Sequence, residues 1–388
     1  MSYLTNLECS HCGHAYDADQ LIRLCPQCEL PLLARYDIEK AKASIDRDAL
    51  ASRPASMWRF HEMLPVRDLE NRIDLGEGGK PILKLKHLSR SMGLNNVYIK
   101  DEGQNPTGSF KALGLATAVS RAYELGVREF VIPTAGNAGG ALAAYAARAG
   151  AKAHVYMPSD APLVNITEVQ MTGADLQLVP GLINDAGREA AAAAKVGGWF
   201  DVSTLKEPYR VEGKKIMGYE LAQAFDWELP DVIIYPTGGG TGLIGMWKAF
   251  DEMEKLGWIS SKRPRMVAVQ SDGCAPIVKA FHDGQESSEP WQNAATLAGG
   301  LRVPVAIGSR LMLTALRDSG GTAVAVPDHH IMQAQQKLAA CEGMFVSLEA
   351  AATIAALEKL IEDNWVTPDE KVLVFNTGSG LKYRLLLV

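Results

Sequence analysis

The chain has 388 residues, a formal net charge of −6 and 47% apolar residues. That suits an α/β protein of two or three domains with a sizeable core. Mild acidity argues against nucleic acid as a partner, because phosphate contacts need clustered cations. No cationic leader followed by an apolar stretch opens the chain, and no apolar run is long enough to span a bilayer. No membrane partner is therefore expected, and the cytoplasm is the expected compartment.

The first element is a four-cysteine segment over residues 1–36, containing "CSHCGHAYDADQLIRLCPQC". Cys9 and Cys12 form one C-x-x-C knuckle and Cys25 and Cys28 another. Two knuckles supply the four thiolates of a closed tetrahedral zinc site, with twelve residues between them for a hairpin. The expectation is a structural zinc ribbon; the alternative is a degenerate ribbon without metal. A closed site has no open position, so catalytic zinc is not expected. His11 and His14 read as bystanders. The segment is not basic: Arg23 and Arg35 are offset by Glu8, Asp17, Asp19 and Glu29.

Residues 37–57 read as a helical linker. Beyond them, eight short β-branched runs alternate with helical stretches. The runs are "NVYIK" (96–100), "EFVIPT" (129–134), "AHVYMP" (153–158), "DLQLVP" (175–180), "DVIIYPT" (231–237), "RMVAVQ" (265–270), "TAVAVP" (322–327) and "KVLVFNT" (371–377). Continuous apolar runs suit parallel strands buried on both faces. The order predicts two doubly wound parallel-sheet domains. We expect a large domain over 58–105 and 206–388 and a small mobile domain over 106–205.

Three strands run into glycine-rich turns, and open parallel sheets bind ligands beyond the carboxyl ends of their strands. In "PTAGNAGG" (133–140), the amides of Thr134, Ala135, Gly136 and Asn137 precede a helix and suit a carboxylate. Asn137 could bond a ring hydroxyl or simply cap the helix. In "PTGGGTG" (236–242), Gly238, Gly239, Gly240 and Thr241 form an amide nest for a phosphate. In "FNTGSGLKY" (375–383), Thr377 offers a hydroxyl at a strand end.

Lys111 follows the turn "NPTGSF" and opens an apolar helix. A desolvated lysine amine is a nucleophile and base that condenses with aldehydes. The alternative is a lysine snorkelling to the surface. Beside a phosphate nest, a strand-end hydroxyl and an amide, Lys111 fits a flat phosphorylated aldehyde with a ring nitrogen and hydroxyl.

"KDEGQNPTGSFK" (100–111), "PTAGNAGG", "EPYRVEGKK" (207–215), "PTGGGTG", "EGMFVSLEAAAT" (342–353) and "NTGSGLK" together resemble the fold-type II pyridoxal-phosphate enzymes, and among them the threonine synthases. The resemblance runs from about residue 75 to 383. It implies pyridoxal phosphate bound through Lys111 next to Phe110. Asn137 would face the ring hydroxyl, Gly238 to Thr241 the phosphate, and Thr377 the ring nitrogen. A neutral hydroxyl does not favour a protonated pyridine, which suits elimination and replacement. The implied reaction is γ-elimination and β-replacement on a small phosphorylated amino acid, O-phospho-L-homoserine. The substrate would meet Ser109, Thr134 to Asn137, Lys80, Arg210 and Lys214. Homodimers are usual for this fold.

The sequence departs from the family pattern at two places: Leu113 and Lys80 stand where an arginine and a threonine are common. Readings kept beside the main one are a serine/threonine dehydratase, a phosphoserine-using cysteate synthase, and a zinc-ribbon binding protein without activity. For Arg210, Lys214 and Lys215 the alternative is a solvated basic face, with Glu212 pairing one of them. Asp328-His329-His330 reads as a helix start, and Cys274 and Cys341 as inert thiols.

Overall fold

The computed structural model describes residues 1–134, 136–181 and 183–383. In chain order the elements are β1 (Leu4–Cys9), β2 (Ala15–Asp17), β3 (Leu32–Tyr36), α1 (Ile38–Ser44), β4 (Ile82–Lys84), α2 (Lys86–Ser91), β5 (Asn96–Asp101), α3 (Lys111–Glu124), β6 (Glu129–Pro133), α4 (Asn137–Arg148), β7 (Lys152–Pro158), α5 (Leu163–Met171) and β8 (Asp175–Val179). They continue with α6 (Ile183–Gly197), β9 (Phe200–Asp201), α7 (Tyr209–Ala224), β10 (Val232–Pro236), α8 (Thr241–Leu256), β11 (Arg265–Ser271), α9 (Pro276–His282), α10 (Ser309–Asp318), β12 (Thr322–Val326), α11 (Asp328–Glu342), α12 (Leu348–Glu362) and β13 (Lys371–Asn376).

All eight expected strands form. Two compact units divide them: residues 1–79 with 105–216, and residues 80–104 with 217–388. The first unit holds a three-stranded antiparallel sheet, β2-β1-β3, and a four-stranded parallel sheet, β8-β7-β6-β9. The second holds one sheet, β12-β11-β10-β13-β5-β4, parallel except for the antiparallel edge strand β4. The chain is thus an α/β protein of the expected class. Its second core is aliphatic, with Val97, Ile99, Val232, Ile234, Val372 and Val374 from the strands against Ala351, Ile354 and Ala355 of α12. Small alanines let that helix approach the sheet closely.

The domain boundaries differ from expectation. Residues 58–79 belong with the first unit rather than with the larger sheet. The reason is local bonding. Glu124 of α3 accepts from the amides of Arg67 and Asp68, Ser120 accepts from Ile73 N–H, and Glu77 accepts from Tyr145 of α4. At the other end the division falls inside α7, at Ile216/Met217, rather than at residue 205. Strand β8 was expected to be buried on both faces, but only its last residue is buried. It is the edge of its sheet, and even Leu178 is 47% exposed there. The 37–57 linker is helical over α1 and a short 3-10 turn, Asp48–Ser52, and a second 3-10 segment, Met57–Met63, starts at its last residue.

In both parallel sheets the strand order reverses. From β10 the chain proceeds to β11 and β12 on one side, while β13 lies on the other. From β6 it proceeds to β7 and β8, while β9 lies on the other. The loops after β10, β13 and β6 therefore leave the carboxyl ends of strands at such switch points.

Candidate active site

In the first unit, Lys111 is placed by a tight turn. Asn105 accepts Gly108 N–H on its backbone carbonyl (2.9 Å) and Gly78 N–H on its side-chain oxygen (3.1 Å). Thr107 and Gly108 both take left-handed backbone angles, with φ of 62° and 64°. For a β-branched residue that conformation costs about 1–3 kcal/mol and persists only where the surroundings over-determine it. The chain then passes through extended Ser109 and enters α3 at Lys111. Lys111 is half-buried, with Nζ 4.3 Å from the centre of the Phe110 ring.

Lys214 approaches the same ring, at 4.1 Å, and its ammonium donates to the Phe110 carbonyl. Neither Arg210, Lys214 nor Lys215 forms a solvated face; all three are buried. Arg210 donates to the Val202 carbonyl (2.7 Å), and burial draws its guanidinium below the usual arginine range. Glu207 accepts the Tyr209 and Arg210 amides at the start of α7, and burial pushes its carboxyl up to about 7. Glu212 pairs with Lys215 at 2.7 Å, the pairing anticipated from sequence. Lys214 and Arg210 thus stand behind the lysine turn, enclosed by their own unit, rather than facing water.

The loop after β6 ends at Asn137, the first residue of α4. Asn137 does not cap the helix: Gly136 is the N-cap, and the buried Asn137 Oδ1 has no hydrogen-bond partner. Ser109 Oγ and Thr107 Oγ1 are likewise buried and unpartnered. Buried polar atoms of this kind call for a partner. An acceptor at Asn137 matches a ring hydroxyl, and the hydroxyl of Ser109 matches a carboxylate or phosphate oxygen. Thr134 Oγ1 accepts from Gly136 N–H (3.1 Å) and so shapes the loop itself. Ala135 lies outside the described residues.

In the second unit, β10 and β13 pair in register, Ile234 against Val374. Continued beyond the strands, that register sets Thr237 level with Thr377, which is buried. The turn from Gly238 to Gly240 leads into α8 at Thr241. Its first backbone helical bond runs from Ile244 N–H to the Gly240 carbonyl, so the amides of 241–243 precede the helical ladder. Gly240 has φ of 77°, and a Cβ there would overlap the Met312 sulfur; a Cβ on Gly238 would overlap the Gly300 carbonyl. The turn is a bare-backbone cradle that fits a phosphate.

Sequence reasoning missed a buried charge cluster at the end of β5. Lys100 is fully buried, with Nζ 3.0 Å from Glu102 and 2.7 Å from Glu220. Burial disfavours its charge, but the two carboxylates outweigh this and hold its pKa above the usual lysine range. Nζ also donates to the Lys80 carbonyl (3.1 Å), which fixes the backbone at half-buried Lys80. The signal was present in "KDEG", where charge sits at the end of an apolar strand. Also missed was Glu77, buried beneath the "GEGG" turn, where it accepts from Trp58, Tyr145 and Leu75 N–H.

The four ribbon cysteines lie together, every sulfur within 4.8 Å of the others. Tetrahedral zinc–sulfur bonds of about 2.3 Å place sulfurs just under 4 Å apart. The observed Cys9–Cys28 and Cys12–Cys25 separations are 3.3 and 3.8 Å. Amides of His11 and Cys12 point at Cys9 Sγ, the knuckle arrangement expected. His11 and His14 are exposed and outside the cluster. Asp328 opens α11, as anticipated, and accepts from Thr296 and Leu297. Glu342 accepts from the first amides of α2.

A family model described as pyridoxal-phosphate dependent enzyme matches residues 73–378. Among similar proteins is a threonine synthase of Methanocaldococcus jannaschii, 36% identical over 96% of this chain and 92% of that protein. Another is a threonine synthase of Methanosarcina acetivorans, 34% identical over 97% and 92%. A threonine synthase of Mycobacterium bovis is 32% identical over 85% and 89%. Solved structures with the same fold include maize serine racemase, with a TM-score of 0.69 at 20% identity over 79% of this chain and 89% of that one. The processed form of threonine deaminase isoform 2 from Solanum lycopersicum has a TM-score of 0.67 at 21% identity over 77% and 79%.

Proposed function

This chain belongs to the pyridoxal-phosphate-dependent enzyme family and, within it, to the threonine synthases, and on that premise we propose that it converts O-phospho-L-homoserine and water into L-threonine and phosphate. The likeness over almost the whole chain to proteins named threonine synthase carries this reading. The racemase and deaminase structures, near 20% identity, speak to the fold alone.

When bound, the cofactor supplies an electron sink for the carbanion formed on the amino acid. Lys111 would hold its aldehyde and serve as the base that moves protons at Cα and Cβ. Phe110 would flank it, Asn137 would accept from its ring hydroxyl, and Thr377 would face its ring nitrogen. The amides of Gly238, Gly239, Gly240 and Thr241 would cradle its phosphate. Ser109 and the loop from Thr134 to Asn137 would take the substrate carboxylate, and Lys80 the departing phosphate. Lys214 is better cast as the group that fixes the Phe110–Lys111 peptide, and Arg210 as its buried support, than as phosphate ligands. Cys9, Cys12, Cys25 and Cys28 would bind a structural zinc ion. A cytoplasmic homodimer completes the reading.

The test is a substrate comparison. O-phosphohomoserine, O-phosphoserine, threonine and serine are each incubated with the loaded enzyme, and phosphate, threonine and 2-keto acid are measured. Phosphate and threonine should appear from phosphohomoserine. A keto acid formed from threonine at a higher rate would move the chain to the dehydratases, and phosphate released only from phosphoserine would move it to β-replacement.

A further inference from the structure

The ribbon is fastened to the two helices that meet behind Lys111. On one side Asp19, just past β2, accepts two bonds from Arg67 (2.7 and 3.0 Å) and one from Arg121 of α3 (2.6 Å). Arg121 also donates to the Ala18 carbonyl (2.9 Å) and to Glu124, and its guanidinium is 1% exposed. On the other side Tyr36, the last residue of β3, donates to Glu212 of α7 (2.8 Å). Lys215 joins that contact, bonded to Glu212 and 4.0 Å from the Tyr36 ring. The next residue back is Lys214, which holds the Phe110 carbonyl.

The two helices have no slack between them. A Cβ on Gly213 of α7 would overlap the Leu113 carbonyl of α3, and one on Gly114 of α3 would sit 3.0 Å from the Arg210 carbonyl. Backbone touches backbone one turn from Lys111. A helix is stiff over the ten residues, about 15 Å, that separate Lys111 from Arg121. A shift at either ribbon contact therefore reaches the lysine.

We propose that the ribbon is a positioning element for Lys111, with Asp19 acting through Arg121 and Tyr36 acting through Glu212. The ribbon is then part of the site's second layer rather than an appended module. This rests on Lys111 being the residue that holds the cofactor.

The test compares wild type, Asp19→Asn, Asp19→Glu and Tyr36→Phe as full-length, cofactor-loaded enzymes. Three quantities are read: kcat per bound cofactor, KM, and the pH midpoint of the bound cofactor's visible absorption band. Asp19→Asn should lower kcat about tenfold or more with KM within about twofold, and shift the band's pH midpoint. Asp19→Glu, which keeps the charge, should recover most of both. Tyr36→Phe, which removes one hydroxyl, should shift the band in the same direction with a loss of about threefold. Should Asp19→Asn fail to fold, Tyr36→Phe alone decides. Variants that lose thermal stability while band and kcat stay at wild-type values overturn the proposal. If no substrate releases phosphate from wild type, the proposed reaction fails, yet the band still decides the ribbon's role. A band that keeps its wild-type wavelength and pH midpoint in Lys111→Ala removes the premise itself.

Discussion

The glycine turn after β10 and the lysine turn before α3 both deliver a functional group to the first residue of a helix, but by different means. The turn at Gly238–Gly240 is built of residues that adopt its backbone without strain, and no side chain fits there. The turn at Asn105–Lys111 bends through Thr107 in a left-handed conformation and leaves Thr107 Oγ1 and Ser109 Oγ buried without partners. One is a finished mould for a fixed charge. The other holds strain and unmet hydrogen-bonding capacity that a bound molecule would relieve. Each unit also buries cations, again differently. Lys100 is closed between two carboxylates, whereas Lys214 donates to the Phe110 carbonyl and lies over the Phe110 ring beside Lys111.

Five experiments test that contrast. Replacing Lys111 with Ala should abolish the reacting group of the lysine turn. The expected loss is about 10⁴-fold or more in kcat, with the wild-type visible band displaced or lost, measured by phosphate release and absorbance. Replacing Lys100 with Ala strands Glu102 and Glu220 in the interior. It should cost about 3–5 kcal/mol in urea unfolding, whereas the same change at half-exposed Lys111 should cost far less.

Glu207 sharpens the comparison through pH. Its folded pKa of about 7 lies above the ordinary 4.5, so the native state holds more protons between those values. Stability should then fall as pH rises from about 4.5 to 7 and level off above, by up to about 3 kcal/mol. Glu207→Gln should flatten that part of the curve in urea titrations at successive pH values. Gly238→Ala forces a methyl against the Gly300 carbonyl. It should cost about 1–3 kcal/mol of overpacking and weaken cofactor binding, followed by fluorescence titration. Thr107→Gly should alter stability by less than about 1 kcal/mol, because released strain offsets added chain entropy. A large loss there would mean that the threonine side chain, not the turn, is what matters.

Much of this was legible in the sequence because it is local. Cys9, Cys12, Cys25 and Cys28 were readable from ligand spacing, and the sulfurs do converge. Gly238 and Gly240 were readable because consecutive glycines after an apolar strand mark a close approach of backbone. Lys111 stood out by the punctuation before it. What escaped was long-range. Glu77 joins Trp58, Tyr145 and Leu75, partners as far as 68 residues away, and nothing in "LGEGG" names them. Arg210 and Lys214 read as contacts for the substrate phosphate, with a solvated basic face as the alternative, but the start of α7 is wholly enclosed.

Eight of the strands, the grouping of the four cysteines and the loops at the strand ends were legible in the residues alone, because each follows from side-chain period, ligand spacing or glycine's backbone freedom. Only the tertiary structure decided where the units divide, which cations are buried, and that the ribbon grips α3 and α7. Those outcomes depend on which distant groups satisfy one another once water is excluded, a choice that no local pattern carries.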